Sequence, residues 1–159
     1  MKKKTTLEFI SDSEKATLYS ISFEFDGTTE FEKFVAAFEQ DATYNKDYQR
    51  IIAALQAILQ KGALERFFRV EGTVKDNVSA IPIEGGKLRL YCLRISEQIV
   101  ILGNGGSKTT RTYEEDQKLY GYVLDLQRFE RILDQHISSG SIKIEEKSLN
   151  GIEDMTFEI

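Results

Sequence analysis

From Tyr19 to Phe25 apolar and polar residues alternate. Tyr19, Ile21, Phe23 and Phe25 share one face, and Ser20, Ser22 and Glu24 share the other. A period of two predicts a strand over Ala16–Phe25. The polar stretch "SDSEK" joins it to an earlier strand over Thr5–Ile10, and Asp26–Gly27 ends it. The period then lengthens. Phe31, Phe34, Val35 and Phe38 fall at helical spacing behind Thr29 and Glu32, a pair that fits a capping box. A second helix is predicted from Tyr44 to Lys61, with Tyr48, Ile51, Ile52, Leu55, Ile58 and Leu59 as its stripe and Gly62 as its C-cap. Ala63–Arg69 reads as a short helical or irregular segment, and the stretch up to Gly86 as turn-rich.

Two nearly continuous apolar runs follow, "KLRLYCLRI" and "IVILG", separated by the tight turn "SEQ". Strands of that composition are central and covered on both faces. A later helix is predicted near Tyr120–Ile137, with the acidic "EED" before its positive end and "SSG" closing it. Asn150–Gly151 between two alternating runs predicts a C-terminal β-hairpin with its turn at that pair. The order ββ-αα-ββ-α-ββ has strands in hairpins and helices in a block. It predicts an α+β fold: a mostly antiparallel sheet, a pair of helices in the N-terminal half, one later helix and a C-terminal β-hairpin.

Composition narrows the function. At 159 residues, with 30% charged residues and one proline, the chain reads as a single globular domain, 1–159. No apolar run reaches the roughly 20 residues that span a bilayer, and no apolar stretch follows the basic N-terminus as in a signal peptide. The expectation is a cytoplasmic protein with no membrane partner. The single Cys92 sits inside an apolar strand pattern and reads as a buried thiol. The net charge of −5 argues against a general nucleic-acid binder. The charge is uneven, however. Gly86–Tyr113 holds five basic residues against Glu97 alone, a net +4, which leaves −9 on the rest of the chain.

That basic segment contains "ILGNGGSKTTRTY". A Walker loop needs glycine directly before the lysine, and here Ser107 separates Gly106 from Lys108. The glycines read instead as a turn ending a central strand, with the N–H groups of Asn104–Gly106 able to form a small anion nest. No nucleotide cofactor is expected. With one histidine (His136, on a helix and partly buried) and one cysteine, no metal ligand set is expected either. The constellation that remains is Arg89, Arg94, Lys108, Arg111 and Tyr113. Cleavage of RNA by its own 2′-hydroxyl needs no metal. It needs cations on the phosphate oxygens and a proton donor and acceptor beside the reacting oxygens.

On these residues the chain resembles the RelE/HigB/ParE superfamily of toxin–antitoxin toxins. "YSISFEFDGTTEFEKFV" is similar to their first strand and first helix. "GKLRLYCLRISEQIVILGNGGSKTTRTYEED" is similar to their "LRI" strand, last strand and basic tail. The resemblance covers residues 16–116 as a RelE-like core and leaves 117–159 as a C-terminal helix-plus-hairpin extension. It implies a metal-independent endoribonuclease acting on mRNA, without cofactor, whose partners are an antitoxin protein and RNA or the ribosome. Arg94 and Lys108 would hold the scissile phosphate. Arg111 would neutralise developing charge, and Tyr113 would stack on a base or assist proton transfer. Lys87, Arg89 and Asn104 would bind substrate. The alternative is a non-catalytic protein-interaction module, of phage or mobile-element origin, that binds a partner through its acidic surface or a strand edge such as the terminal "TFEI".

Overall fold

The computed structural model describes residues 2–70, 76–108 and 116–159. In chain order its elements are β1 (Lys4–Asp12), β2 (Thr17–Phe23), α1 (Glu30–Phe38), α2 (Asn45–Lys61), a 3₁₀ turn (Glu65–Phe67), β3 (Arg69–Val70), β4 (Val78–Ala80), β5 (Leu88–Ser96), β6 (Ile99–Ser107), α3 (Gln117–Ser139), β7 (Lys143–Glu145), β8 (Ser148–Asn150) and β9 (Phe157–Glu158). The expected α+β class is the observed one. Seven strands form one sheet in the order β3-β4-β5-β6-β2-β1-β9, and β7-β8 form a separate hairpin. Every pairing is antiparallel except β2 with β6, which run parallel from Thr17↔Ile99 to Ser20↔Leu102.

The central strands are apolar on both faces because both faces are covered. On one face Leu18, Leu88, Leu90, Cys92, Val100 and Leu102 pack against Phe34 of α1 and Tyr48, Ile51, Leu55 and Ile58 of α2. On the other, Tyr19, Ile21, Tyr91, Leu93, Ile99 and Ile101 pack against Leu119, Val123, Leu126, Phe129 and Leu133 of α3. Each fully buried aliphatic or aromatic side chain contributes about 1.5–3 kcal/mol. The extension expected at residues 117–159 is therefore half of the core, and β9 closes onto β1 through Lys4↔Glu158 and Thr5↔Phe157. Phe157 and Glu158 of "TFEI" pair with β1 of the same chain, as the outermost strand of the sheet.

The helix ends follow the sequence. The Thr29 hydroxyl accepts from Glu32 N–H, and the Glu32 carboxylate accepts from Thr29 N–H, the reciprocal pair of a capping box. Such a cap is worth about 1 kcal/mol. Gly62 closes α2 and Gly140, in the left-handed region, closes α3. Asp116 caps α3 by accepting from Lys118 and Leu119 N–H, so that helix starts a turn earlier than its apolar stripe suggests.

Three local expectations are corrected. First, Gly103, Gly105 and Gly106 do not form a turn. They lie inside β6, which runs on to Ser107. The β5–β6 ladder shifts register between Leu90 and Cys92, so β6 carries a bulge, and at Gly105 a Cβ would stand 1.8 Å from Arg89 O. At Gly103 a Cβ would stand 2.9 Å from Leu126 Cδ1, and at Gly106 3.1 Å from Leu119 Cδ2. The glycines thus let the strand bulge and let α3 lie close against it. Second, the turn-rich segment contributes β3 and β4, and β4 is buried at all three positions. Third, the C-terminal hairpin turns at Glu146–Lys147 rather than Asn150–Gly151. Gly151 (φ 106°) instead passes Ser141 so closely that a Cβ would stand 2.3 Å from its carbonyl oxygen.

Gly105→Ala must therefore separate β5 from β6, at a cost on the order of 3 kcal/mol or more in urea unfolding. Gly121→Ala, inside α3 with nothing within 4 Å of the added methyl, gains about 0.5–1 kcal/mol instead.

Candidate functional site at the carboxyl ends of the parallel strands

The basic residues singled out in the sequence divide between the two ends of the sheet. Lys87, Arg89 and Lys108 gather at one end of the β5–β6 pair, where Leu88 pairs with Ser107 and Arg89 with Gly106. Lys108 N–H donates to Lys87 O at 2.7 Å. The Arg89 guanidinium is engaged locally, its Nη1 donating to Gly86 O and Leu88 O, both at 3.0 Å. Arg94 lies five residues further along β5, about 17 Å at strand rise. By the alternation of β5 it faces α2, whereas Arg89 faces α3. Its Nε donates to Ala63 O at 2.7 Å. The expected phosphate clamp of Arg94 with Lys108 is thus not assembled. Arg111 and Tyr113 lie outside the described residues.

Asn104 is buried, and its Oδ1 accepts from the N–H of Gly105 at 2.7 Å. Gly105 and Gly106 pair with β5 and are buried. The N–H of Gly105, one of those expected to form an anion nest, is therefore taken by the Asn104 side chain.

The topology points to a different location. β2 leads into α1 on one face of the sheet, while β6 leads towards α3 on the other. Where two adjacent parallel strands send their connections to opposite faces, a crevice lies beyond their carboxyl ends. Here a charged cluster occupies it. Glu30, the first residue of α1, is buried, and its Oε1 lies 3.5 Å from Asn104 Nδ2. Lys33 Nζ stands 2.7 Å from Glu30 Oε2 and forms an ion pair with it. Lys33 also pairs with Asp26. Lys3 holds Asp125 of α3 at 3.1 Å, and both lysines lie over the Phe23 ring, at 4.8 and 5.8 Å.

The ionisations in this cluster move away from neutrality. Burial lowers the Lys33 ammonium, but its bonds to Asp26 and Glu30 outweigh burial and hold it above ordinary lysine. Burial, then the charge of Glu30, raises the Tyr122 hydroxyl. A lysine that stays charged and a tyrosine that stays neutral are donors, and neither is poised to exchange a proton near pH 7. Burial likewise raises Tyr48 and the wholly buried Cys92 thiol, whose Sγ lies 3.6 Å from Ser79 O. Among the described residues no group of histidine, cysteine and carboxylate side chains is arranged to hold a metal ion. Nor is any helix long and apolar enough to cross a membrane.

Among the described residues one carboxylate moves towards neutrality. Glu130, buried on α3, is raised first by its burial and then by Asp134 and Asp76, against the lowering effect of Asn77. Asn77 engages both oxygens, its N–H donating to Oε1 at 3.2 Å and its Nδ2 to Oε2 at 2.6 Å. It ties α3 to the start of β4 and is fully used in doing so.

Comparison with protein-family models, curated proteins and solved structures finds no match to this chain.

Glu30, Lys33, Tyr122 and Asp125 had no local sequence signature. Two elements far apart in the chain, α1 and α3, bring them together, and the parallel pairing of β2 with β6 makes them neighbours. Glu130 gives a measurable pH signature. The folded chain holds its proton to higher pH than the unfolded chain does. Its contribution is complete below the ordinary glutamate value of 4.5 and is lost as pH rises through the folded value. Urea midpoints measured from pH 4 upward should therefore fall in the wild type relative to Glu130→Gln across that window, and the two curves should run parallel above it.

Proposed function

We propose that the chain is a non-catalytic protein-interaction module that binds a basic partner through the acidic surface of α1 and the loops on either side of it, with the exposed Phe25 as an aromatic anchor. The observation that carries this reading is the placement of charge. Between Glu24 and Asp47 stand seven acidic residues and two lysines, a net −5 that equals the charge of the whole chain. The same stretch displays Phe25, 95% exposed and held at φ 72°. That left-handed conformation costs a bulky residue about 1–2 kcal/mol. An exposed aromatic in a strained turn contributes little to folding and suits an anchor that buries on binding. The ionisations described above supply donors and charges for recognition rather than a tuned acid–base pair.

A toxin-like endoribonuclease of the RelE/HigB/ParE kind is the second reading, favoured by the gathering of Lys87, Arg89 and Lys108. It needs a cationic clamp built without Arg94. The two readings separate on expression. An interaction module accumulates without arresting growth and leaves cellular mRNA intact. A ribonuclease stops growth and cleaves mRNA, and Lys108→Ala relieves both effects.

Under the interaction reading, Glu24→Lys with Glu39→Lys, which takes the net charge from −5 to −1, abolishes capture of the partner from lysate, and Lys108→Ala does not. Glu39 caps the end of α1, where a lysine suits the helix dipole, but its carboxylate also bonds to the buried Tyr48 hydroxyl, so an unchanged melting temperature of the variant is what separates loss of binding from loss of fold. Phe25→Gly separates binding from stability in the same way. The melting temperature holds or rises as strain is relieved, while affinity falls by about tenfold or more.

A further inference from the structure

We propose that the partner docks by adding an extended, basic segment as an extra strand along the free edge of β1. This mode of docking rests on the interaction reading above.

The edge is open over a defined window. β9 pairs only with Lys4 and Thr5, and Lys3 exchanges both backbone hydrogen bonds with Ile159 just before them. At the other end, Lys147 Nζ reaches from the hairpin to Ser13 O at 2.6 Å and Asp12 Oδ2 at 3.3 Å. Between these two closures Thr6–Ser11 has no neighbouring strand on its outer side among the described residues. The window is about 20 Å long at strand rise. Outward groups alternate from Lys3, so those of Leu7 and Phe9 point away from β2 and are set to pair with an added strand. The extra residue at Ile10 bulges the strand and confines the usable ladder to that pair.

So short a ladder needs a side-chain site, and one lies beside it. A hollow of about 520 Å³ opens between β1 and α1, lined by Phe9 and Ile10 from the strand and by Phe31, Glu32, Val35 and Ala36 from the helix. Phe9 is 58% exposed. A strand laid against β1 would direct every second side chain under α1 into this hollow, the pattern by which β-augmentation combines backbone affinity with side-chain selectivity. No lysine or arginine lines the hollow. Glu8, exposed on β1, and Glu32 flank the site, and α1 belongs to the segment that carries the net −5. The occupant is therefore a basic segment. A second copy of this chain would bring two acidic faces together along the same edge.

Nonapeptides from a random displayed library, selected on the full chain at low salt, provide the probe. The enriched peptides should be net positive, with apolar residues at alternate positions. On binding they should slow hydrogen exchange at the Leu7 and Phe9 amides. Methylating alternate backbone nitrogens of a selected peptide, or filling the hollow with Ala36→Phe, should each weaken binding by at least about tenfold. Val70→Ala, at the opposite edge of the sheet, should change nothing. Undiminished binding of the methylated peptide, protection confined to α1 and α2, or enrichment of no peptide overturns the added strand. A concentration-dependent dimer with Leu7 and Phe9 protected overturns the basic partner in favour of a second copy. The charge-reversal variant keeps the two levels apart. If its loss of capture persists while the peptide results fail, only the strand mode is wrong. If capture ignores charge reversal, the interaction reading itself is lost.

Discussion

The close pairing of β5 with β6 governs the rest of the molecule. Both strands present apolar side chains alternately to the two faces: Leu88, Leu90 and Cys92 against Tyr91 and Leu93, and Val100 and Leu102 against Ile99 and Ile101. Neither face can be left in water, so helices must cover both. Coverage of the second face depends on Gly103 and Gly106, whose missing side chains let α3 approach β6, and on Gly105, where only a hydrogen fits beside Arg89 O. With α1 and α2 committed to one face and α3 to the other, the helices emerge on opposite sides of the parallel strands β2 and β6. The crevice holding Glu30, Lys33 and Asn104 follows from that arrangement.

Where a signal is local, the sequence predicts well. The capping box at Thr29, the C-cap at Gly62, the stripe of α2 and the class of the fold all depend on residues within a turn or two of each other. What the sequence misplaces depends on distant neighbours. The run Asn104–Gly106 has turn composition, yet it is strand, because its glycines answer a demand for space made by Arg89 and Leu119. Asn-Gly at 150–151 has the composition of a hairpin turn, yet the turn forms at Glu146–Lys147, because Gly151 is required where the chain crosses Ser141. Site residues fare the same way. Charge density along the chain placed Arg94 with Lys108, but β5 alternates faces and separates them by its own length.

Catalysis and recognition make different demands on ionisable groups. A general acid or base works best when its pKa lies near the working pH, so an active site pulls its groups towards neutrality. In this chain pairing with Asp26 and Glu30 holds Lys33 up against its burial, and burial pushes Tyr122 and Cys92 up, each further from the range where it would exchange protons. The exception, Glu130, spends both oxygens on Asn77. Fixed charges, neutral donors and an exposed aromatic suit the proposed binding role, which needs a defined pattern and no proton transfer.

An open edge strand ordinarily invites another copy of itself, and proteins suppress that with charge, bulges or cover. β1 uses all three, with β9 over its first residues, the bulge at Ile10 and Glu8 at its centre. Cover and bulge act on any approaching chain, but charge discriminates. Two copies meeting edge to edge would also bring together two segments of net −5, and that repulsion acts within a Debye length of about 8–10 Å. For a basic segment the same field is attractive. Under the proposed docking mode, one distribution of charge would therefore both disfavour self-pairing along this edge and select a basic segment to fill it, beside the exposed Phe9 and the hollow under α1.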